Sequence, residues 1–426
     1  MIIRVQSRSR VLKRFADSPY MKMFTSRTMA VMVLLGFSSG LPFPLTGGTL
    51  QAWLTTAGVD IKTIGIFSLV GLPYTVKFIW SPFMDRFVPP WLGRRRGWIV
   101  PLQLLLLTGI ALMALGAPEN MPYALAVIAL IVAFISASQD IVVDAYRTDI
   151  LPDKERGFGA ATFVFGYRIA MLVAGAFALI MSDRIGWRST YFLMAVFMMA
   201  GICGTLIGRE PDHKTVPPKT MEEAIWGPLK EFFSRKSALL FILLIILYKL
   251  GDAYAAALTT PFLIRGVNFT PTDVGTINKG LGLVATIVGA LFGGTIMVKL
   301  GLFRSLMVFG VFQMVSNLSF MVLAWVGKSY PVMITAVAFE NISGGMGTAA
   351  YTALLMALCD RRYSATQYAL LSSLSALGRV AISPTSGYIV AAMGWPVFFL
   401  ITTLIALPGL MLLWRVRDDI NSIKGT

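Results

Sequence analysis

Long apolar runs fill most of this 426-residue chain and constrain its fold more than any other feature. A helix needs about 20 apolar residues to cross the hydrocarbon core of a bilayer, and it satisfies its own backbone hydrogen bonds there. The runs therefore predict an all-α membrane protein with twelve transmembrane helices. The predicted spans are 28–56, 61–84, 98–117, 122–146, 158–182, 189–208, 237–264, 272–297, 304–327, 330–357, 366–394 and 395–416.

The composition supports this interpretation. Hydrophobic residues make up 56% of the chain and charged residues 14%, whereas about 25% of the residues of a soluble domain are charged. The mean hydropathy of +0.72 also indicates a polytopic membrane protein. The net charge of +16 does not indicate nucleic-acid binding, because the basic residues are scattered in short clusters between the apolar runs.

The distribution of Lys and Arg predicts that both termini are cytoplasmic. With that orientation, about 27 of the 37 basic residues lie in cytoplasmic segments and about 5 lie outside. Arg94, Arg95 and Arg96 then face the cytoplasm. The basic N-terminal segment 1–27 is expected to be a cytoplasmic lead-in and not a signal peptide, because it lacks a short apolar core with a cleavage site.

A long polar stretch divides the predicted spans into two groups of six. The predicted organisation is an N-terminal six-helix bundle (28–208), a central cytoplasmic loop (209–236), a C-terminal six-helix bundle (237–416) and a cytoplasmic tail (417–426). This arrangement resembles the plan of major facilitator transporters, whose halves are parallel repeats.

An internal repeat supports the division into two bundles. Trp53-Leu54 resembles Phe262-Leu263, Gly65 resembles Gly275, and Gly166-Tyr167-Arg168 resembles Leu377-Gly378-Arg379, at offsets of 209, 210 and 211. One offset that recurs across distant segments indicates a duplicated architecture.

Ionisable residues within the predicted spans are the main candidates for function. A charge at the bilayer centre costs at least about 2.5–3.5 kcal/mol, so these side chains are expected to face one another or a wet cavity. They are Lys77, Asp140, Asp144, Arg168, Lys249, Asp252, Glu340 and Arg379.

Spacing predicts which of these charges share a helix face. Asp140, Asp144 and Arg147 are four and then three residues apart and lie on one face. Lys249 and Asp252 are three residues apart and can pair on one helix. Such a pair either only stabilises helix packing or takes part in transport. Glu340 has no basic residue on its own turn, so its partner must come from another helix or it carries a proton at rest.

The cysteine and histidine content argues against a disulfide-stabilised fold, a metal site and an enzyme. Cys203 and Cys359 lie within or beside apolar runs and give neither a disulfide framework nor metal-ligand spacing. The single histidine, His213, lies in a polar loop, so we expect no metal site and no enzyme. A membrane-embedded acyl or glycosyl transferase would typically need a histidine paired with an acid.

The loop after the second span, SPFMDRFVPPWLGRRRGW, resembles the major facilitator motif G-x-L-x-D-R-x-G-R-R. Ser81 replaces its first glycine, and Pro89-Pro90 lengthen the turn. The resemblance implies a gating role for Asp85, Arg86 and Arg94, because these positions latch the two halves in that family. Asp144 and Arg147 are added to this gating group as an interhelical lock. The alternative is a merely positive cytoplasmic loop.

Longer stretches resemble AmpG-type muropeptide permeases, in order along the chain from Gly36 to about Arg379. They include GGTLQAWL, KTIGIFSLVG, KFIWSPFMDR, SASQDIVVDAYRTD, YKLGDAYAAALTTPFLIRGV, LGLVATIVGALFGG, FENISGGMGTAA and SATQYALLSSLSALGR. The resemblance implies a bacterial inner-membrane importer of GlcNAc-1,6-anhydro-MurNAc, with or without peptide. Its implied context is peptidoglycan recycling and β-lactamase induction.

The residues fit a polar, mostly anionic cargo carried together with protons. The resemblance implies that the proton motive force drives transport and that no cofactor is needed. The expected partners are the muropeptide, protons and membrane lipids, with the chain as a monomer. Arginine and lysine suit carboxylates, and amides suit sugar hydroxyls. The predicted cargo-binding residues are Lys77, Gln139, Tyr167, Arg168, Lys249, Asn341 and Arg379, and the predicted proton-coupling residues are Asp140, Asp252 and Glu340. Gln139 and Asn341 also suit helix packing.

Alternative functions remain at this stage. The nearest is another major facilitator carrier, for acyl-CoA or for drugs and organic anions. A membrane-embedded transferase is disfavoured by the single histidine. A non-transporting sensor is disfavoured by the carboxylates at mid-membrane depth.

Overall fold

The computed structural model describes residues 26–151, 156–210, 233, 237–358, 371, 373–374, 376 and 380–422. Every regular element in these ranges is helical, which confirms the all-α prediction. We call residues 26–210 the N-terminal half and residues 237–422 the C-terminal half.

The helices of the N-terminal half are Arg27–Gly40, Pro42–Thr46, Gly48–Thr56, Ile61–Ile66, Leu72–Val76, Ser81–Arg86, Arg96–Ala114, Pro122–Ile150, Arg156–Leu172, Ala178–Phe197 and Met199–Ile207. Those of the C-terminal half are Ala238–Tyr248, Leu250–Ala256, Thr259–Pro261, Pro271–Asp273, Gly282–Leu300, Leu302–Val326, Tyr330–Ala357, Ser386–Arg415 and Arg417–Ser422. Turns of 3₁₀-helix lie at Phe67–Gly71, Lys77–Ile79 and Ser383–Thr385, and π-helical turns lie at Val173–Phe177, Phe262–Gly266 and Val274–Leu281.

Within the described ranges, eight helical segments are long and apolar enough to cross a bilayer. They are Arg27–Thr56, Arg96–Ala114, Pro122–Arg147, Thr162–Ile207, Ala238–Gly266, Pro271–Met297, Leu302–Val326 and Val380–Arg415. Two of them turn at a glycine with positive φ, Gly186 (77°) and Gly394 (76°). Only glycine adopts this backbone conformation without strain, and each turn falls between two predicted spans.

The predicted span 61–84 is not one regular helix. Short helical pieces replace it, with 3₁₀ turns at Phe67–Gly71 and Lys77–Ile79. Proline removes a backbone donor and clashes with the preceding turn, and Pro73 lies at the start of one of these pieces. The helix Tyr330–Ala357, in contrast, has the predicted bounds.

The two halves meet through a repeated pair of glycine contacts. Gly65 lies against the backbone of Gly387, and Gly275 lies against the carbonyl oxygen of Ala176. Positions 65 and 275 differ by 210, and positions 176 and 387 differ by 211. Each half therefore presents the same glycine position to the other, at the offset found in the sequence. Without a side chain, two helix backbones can approach closely.

Three hydrophobic cores define how the halves are joined. One core is formed by residues between 29 and 163 and lies at the end of the N-terminal half that carries residue 27. A second core is formed by residues between 238 and 420 and lies in the corresponding part of the C-terminal half. The third combines residues of both halves, among them Leu54 and Leu263. In the described part of the chain, the halves thus share a core at the end that carries residues 57–60 and 267–270, and have separate cores at the end that carries residues 27 and 420.

Replacement of Gly387 tests the glycine contact. An alanine methyl there would lie 2.3 Å from the carbonyl oxygen of Ile61, whereas a methyl at Gly294 would have no atom of another residue within 4 Å. Overpacking of this kind typically costs about 1–3 kcal/mol, whereas Gly→Ala in a helix interior contributes up to about 1 kcal/mol. We expect Gly387→Ala to lower the thermal midpoint of the detergent-solubilised protein and Gly294→Ala to leave it unchanged or raise it. Equal midpoints would contradict the contact.

Candidate functional site

A cavity of about 370 Å³ lies between the two halves. Its walls are the segments around 43–51, 67–74 and 171–175 of the N-terminal half and 253–260, 279–283 and 380–383 of the C-terminal half. Pockets that hold small-molecule ligands typically have volumes of about 300–1,000 Å³ and mostly apolar walls with a few placed polar groups. This cavity has both properties.

Hydrogen bonds between the halves close the molecule on one side of the cavity. The amide of Gln51, which lines the cavity, donates to the carbonyl oxygen of Ala257 at 3.0 Å. About one turn farther along, the Arg265 guanidinium donates to the carbonyl oxygen of Thr55 at 2.9 Å. The backbone N–H of Thr272 donates to the Asp183 carboxylate at 2.8 Å. These contacts lie at the end that carries residues 57–60 and 267–270.

Among the described residues that line the cavity, Lys279 alone carries a charge. Its ammonium group donates to the Thr260 hydroxyl at 3.2 Å. The side chain starts from the C-terminal half and lies against Gly48 and Gly175 of the N-terminal half. It interacts electrostatically with Glu340. Lys279 thus connects the cavity with one of the acids predicted from the sequence.

Glu340 lies in a polar cluster of the C-terminal half. Its carboxylate accepts a hydrogen bond from the Asn341 amide at 2.6 Å, and the Asn341 oxygen accepts one from the Thr286 hydroxyl at 3.0 Å. Lys249, Lys279 and Asp252 interact with Glu340 electrostatically. Its cationic neighbours therefore come from other helices, as the absence of a basic residue on its own turn predicts.

Lys249 and Asp252 pair across one turn at 3.3 Å, as their spacing predicts. The helix is interrupted at Lys249, whose φ and ψ are −99° and 1°. The ammonium group also donates to the Gln313 amide oxygen at 2.7 Å and to the Thr348 hydroxyl at 3.2 Å. All three donors of the Lys249 ammonium group are thus engaged by side chains of the C-terminal half.

Asp140 lies in the corresponding cluster of the N-terminal half. It lies beside the Ser39 hydroxyl and interacts electrostatically with Lys77, Asp144 and Arg147. It also interacts with Tyr74, whose side chain reaches the cavity wall. Lys77 is half-buried, one turn beyond Tyr74.

The remaining predicted cargo-binding residues are placed differently from one another. The Gln139 side chain is fully buried and donates to the Ser39 hydroxyl at 3.4 Å, so it connects two helices. Tyr167 interacts electrostatically with Asp140 and Arg168. Arg168 is exposed, and its guanidinium contacts the sulfur of the cavity-lining Met171 at 3.8 Å. Arg379 lies outside the described residues.

Two ion pairs of the N-terminal half lie at the end that carries residue 27. Asp144 pairs with Arg147 at 3.1 Å within the helix Pro122–Ile150, as their spacing predicts, so this pair is not the interhelical lock expected from the sequence. Arg95 pairs with Asp149 at 2.8 Å. Arg94 is half-buried, whereas the side chains of Asp85 and Arg86 lie outside the described part of the chain.

Glu210 caps a helix from a distance in sequence. Its carboxylate accepts hydrogen bonds from the backbone N–H groups of Arg95 (2.6 Å) and Arg96 (3.0 Å), where the helix Arg96–Ala114 begins. A carboxylate at a helix N-terminus satisfies free donors and opposes the positive end of the helix dipole. This contact fixes the basic loop after the second predicted span.

Sequence reasoning missed several residues that the fold brings to this region. Lys279 lies inside the predicted span 272–297 and meets the same criterion as the other intramembrane charges, so the signal was present. Gln51, Tyr74 and Thr260 line the cavity, but uncharged polar residues are common in membrane helices and carry little signal alone. Glu210 closes a contact more than 100 residues away in the chain, which spacing within one helix cannot reveal.

Comparison with known proteins identifies the family. The sequence model of the Major Facilitator Superfamily matches residues 28–383. The chain is 52% identical to the anhydromuropeptide permease of Escherichia coli (strain K12) over 406 residues, which cover 95% of this chain and 83% of the relative. It is 33% identical to the putative transporter AmpG 4 of Rickettsia conorii, across 94% of this chain and 99% of that one.

A solved structure shows the same fold. The crystal structure of a bacterial homolog of the human lysosomal transporter Spinster, in an inward-facing and unoccupied conformation, superimposes with a TM-score of 0.75 at 13% sequence identity. The match covers 94% of this chain and 98% of the other. The chain therefore belongs to the Major Facilitator Superfamily and, within it, to the AmpG-type muropeptide permeases.

Proposed function

We propose that the protein imports anhydro-muropeptides, GlcNAc-1,6-anhydro-MurNAc with or without peptide, across the bacterial inner membrane for cell-wall recycling. The observation that carries the proposal is the 52% identity to the E. coli anhydromuropeptide permease over 95% of this chain. The cavity between the halves supports it, because alternating access in this superfamily places the cargo site at the interface of the two repeats.

The proposed topology has twelve spans with both termini in the cytoplasm. The eight apolar segments, two of which turn at a glycine, and the helical regions 61–86 and 330–357 supply the material for twelve crossings. The proposed bundles are 28–208 and 237–416, linked by the cytoplasmic loop 209–236 and flanked by the basic segment 1–27 and the tail 417–426. The excess of Lys and Arg in the segments assigned to the cytoplasm supports this orientation.

With that orientation, the closed end faces the periplasm and the protein is in an inward-facing state. The bonds between Gln51 and Ala257 and between Arg265 and Thr55 then form the periplasmic gate. The cytoplasmic gate is assigned to Asp85, Arg86 and Arg94 with the pair Asp144–Arg147. Rocking of the two halves about the cavity would open one gate as the other closes.

The proposed cargo contacts use cations for carboxylates and neutral polar groups for sugar hydroxyls. Exposed Arg168 touches the cavity-lining Met171, which supports its proposed contact with cargo that enters or leaves. Lys249 and Asn341 lie in polar clusters of the C-terminal half. The other members of the proposed set are Lys77, Gln139, Tyr167 and Arg379.

Import is proposed to be coupled to protons through Asp140, Asp252 and Glu340. Glu340 is the first choice, because two cations, Lys249 and Lys279, and a second acid, Asp252, act on it at once. A proton on Glu340 would remove the negative charge that these cations face. Lys249 and Lys279 would then be free to attract an anionic cargo, whose negative charge would take the place of the Glu340 carboxylate charge.

Transport by purified protein tests the cargo and the coupling. In proteoliposomes, labelled anhydro-muropeptide should accumulate above its external concentration when an inward proton gradient is imposed, and should only equilibrate without one. Acyl-CoA and unrelated organic anions serve as competitors. Accumulation that ignores the gradient would exclude proton coupling, and competition by acyl-CoA alone would favour a different major facilitator carrier.

Glu340→Gln should abolish uphill uptake and spare exchange of cargo across the membrane. The glutamine amide has the shape of the glutamate side chain but does not take up and release a proton. The matched control is Glu119→Gln, an identical change at an exposed position outside the predicted spans. Uphill uptake by Glu340→Gln at the wild-type rate would exclude Glu340 as the proton carrier.

Reporter fusions test the topology. A fluorescent protein that matures only in the cytoplasm should be bright at the C-terminus, and alkaline phosphatase fused after Lys328, in a predicted outer loop, should be active. The reverse result at both sites would invert the proposed orientation and with it the inward-facing assignment.

A further inference from the structure

We propose that Lys279 is the residue of the central cavity that binds an anionic group of the cargo, a carboxylate, and that Gly48 of the opposite half provides the space for its ammonium group. This inference rests on the proposed function, since it names the chemical group by which the same cavity selects its cargo. It adds a residue outside the set predicted from the sequence.

The positive charge of the described cavity wall comes from one side chain. Of the wall residues that the structure describes, Lys279 is the charged one, and the others are apolar, small or neutral polar. An isolated cation at this depth in a membrane protein is costly, so it needs a partner or water. A site built for a fully neutral cargo gains nothing from this cost.

The ammonium group of Lys279 retains donor capacity. It can donate three hydrogen bonds, and in the described part of the chain the Thr260 hydroxyl accepts one of them. Among the described residues it forms no ion pair within 4.0 Å, whereas Lys249 pairs with Asp252 at 3.3 Å and is also bonded to Gln313 and Thr348. The Lys249 ammonium group thus has three protein partners in this state, whereas that of Lys279 has one in the described ranges and can donate two more hydrogen bonds to a ligand.

Two glycines of the N-terminal half adjoin the lysine stem and head. A methyl group at Gly48 would lie 3.1 Å from the Lys279 ammonium nitrogen, and one at Gly175 would lie 3.9 Å from its Cβ and Cγ atoms. The contact at Gly48 is too close for an alanine unless the ammonium group moves. The lysine thus crosses the interface of the halves, so a carboxylate bound to its ammonium group would lie at that interface.

Glu340 supplies the counter-charge when the cavity holds no cargo. It interacts electrostatically with Lys279 without direct contact, and it is itself held by the Asn341 amide and influenced by Lys249 and Asp252. A cargo carboxylate in direct contact with the ammonium group would outcompete this longer-range interaction, because Coulomb attraction falls with distance.

Matched cargoes test the charge preference directly. The anhydro-disaccharide with its free lactyl carboxylate is compared with its neutral carboxamide, by half-saturating concentration in an exchange assay that needs no proton gradient. For wild type, we expect the acid to bind better than the amide. Lys279→Gln should raise the half-saturating concentration of the acid by about 10- to 100-fold and leave that of the amide within about 3-fold, since a charged hydrogen bond is lost only with the acid.

Two variants serve as controls. Lys279→Arg keeps the charge and should retain part of the preference for the acid. Lys299→Gln makes the same change at an exposed lysine near the end of the next helix, Gly282–Leu300, and should behave like wild type. An equal loss with both cargoes, or no loss with either, in Lys279→Gln would overturn the inference and leave muropeptide transport standing.

A second measurement separates this inference from the proposed function. In a background with Cys203→Ser and Cys359→Ser, Lys279→Cys should react with a negatively charged, membrane-impermeant thiol reagent added from the cytoplasmic side. Failure to react would overturn the cavity placement whether or not muropeptide is carried. Reaction combined with no muropeptide exchange by wild type would overturn the proposed function, and with it the carboxylate role of Lys279, while its placement in the cavity would stand.

Discussion

Charge inside an apolar helix bundle is the constraint on which this structure depends. Each ionised group within the spans needs a partner close by, because the surrounding hydrocarbon offers none. The C-terminal half meets this need with the Lys249–Asp252 pair and the cluster around Glu340. The N-terminal half meets it with Asp140, Lys77 and the Asp144–Arg147 pair. Both clusters adjoin the interface of the halves, because Tyr74 links the Asp140 cluster to the cavity wall and Lys279 links the Glu340 cluster to it.

The packing of the two halves leaves a cavity between them, close to these clusters. Glycine contacts at positions 65 and 387 and at positions 275 and 176 join the backbones closely at one end. At the other end each half retains a core of its own. The halves are therefore packed together at the end that holds the shared core and are packed separately at the other end. The cavity lies next to the joined end, between walls that both halves supply.

Local sequence patterns predicted what depends on neighbours along one helix. The i, i+3 spacing identified the Lys249–Asp252 and Asp144–Arg147 pairs, and apolar length identified the helix Tyr330–Ala357 to the residue. The same reasoning missed the interruption of the span 61–84, because a single proline changes the mean hydropathy of a window of about 20 residues only slightly. It also passed over Lys279, although a lysine within a predicted span is the signal that identified the other charges.

The sequence by itself determined the helical class, the repeat at an offset near 210 and the charges that needed inward partners, because each follows from periodicity or from the cost of charge in lipid. Only the tertiary structure decided that Lys279 reaches across to Gly48 and Gly175, that Glu210 caps a helix begun more than 100 residues earlier, and which end of the molecule is closed. Those features depend on contacts between helices, whose relative positions follow from packing of the whole chain and leave no periodic trace along any single segment.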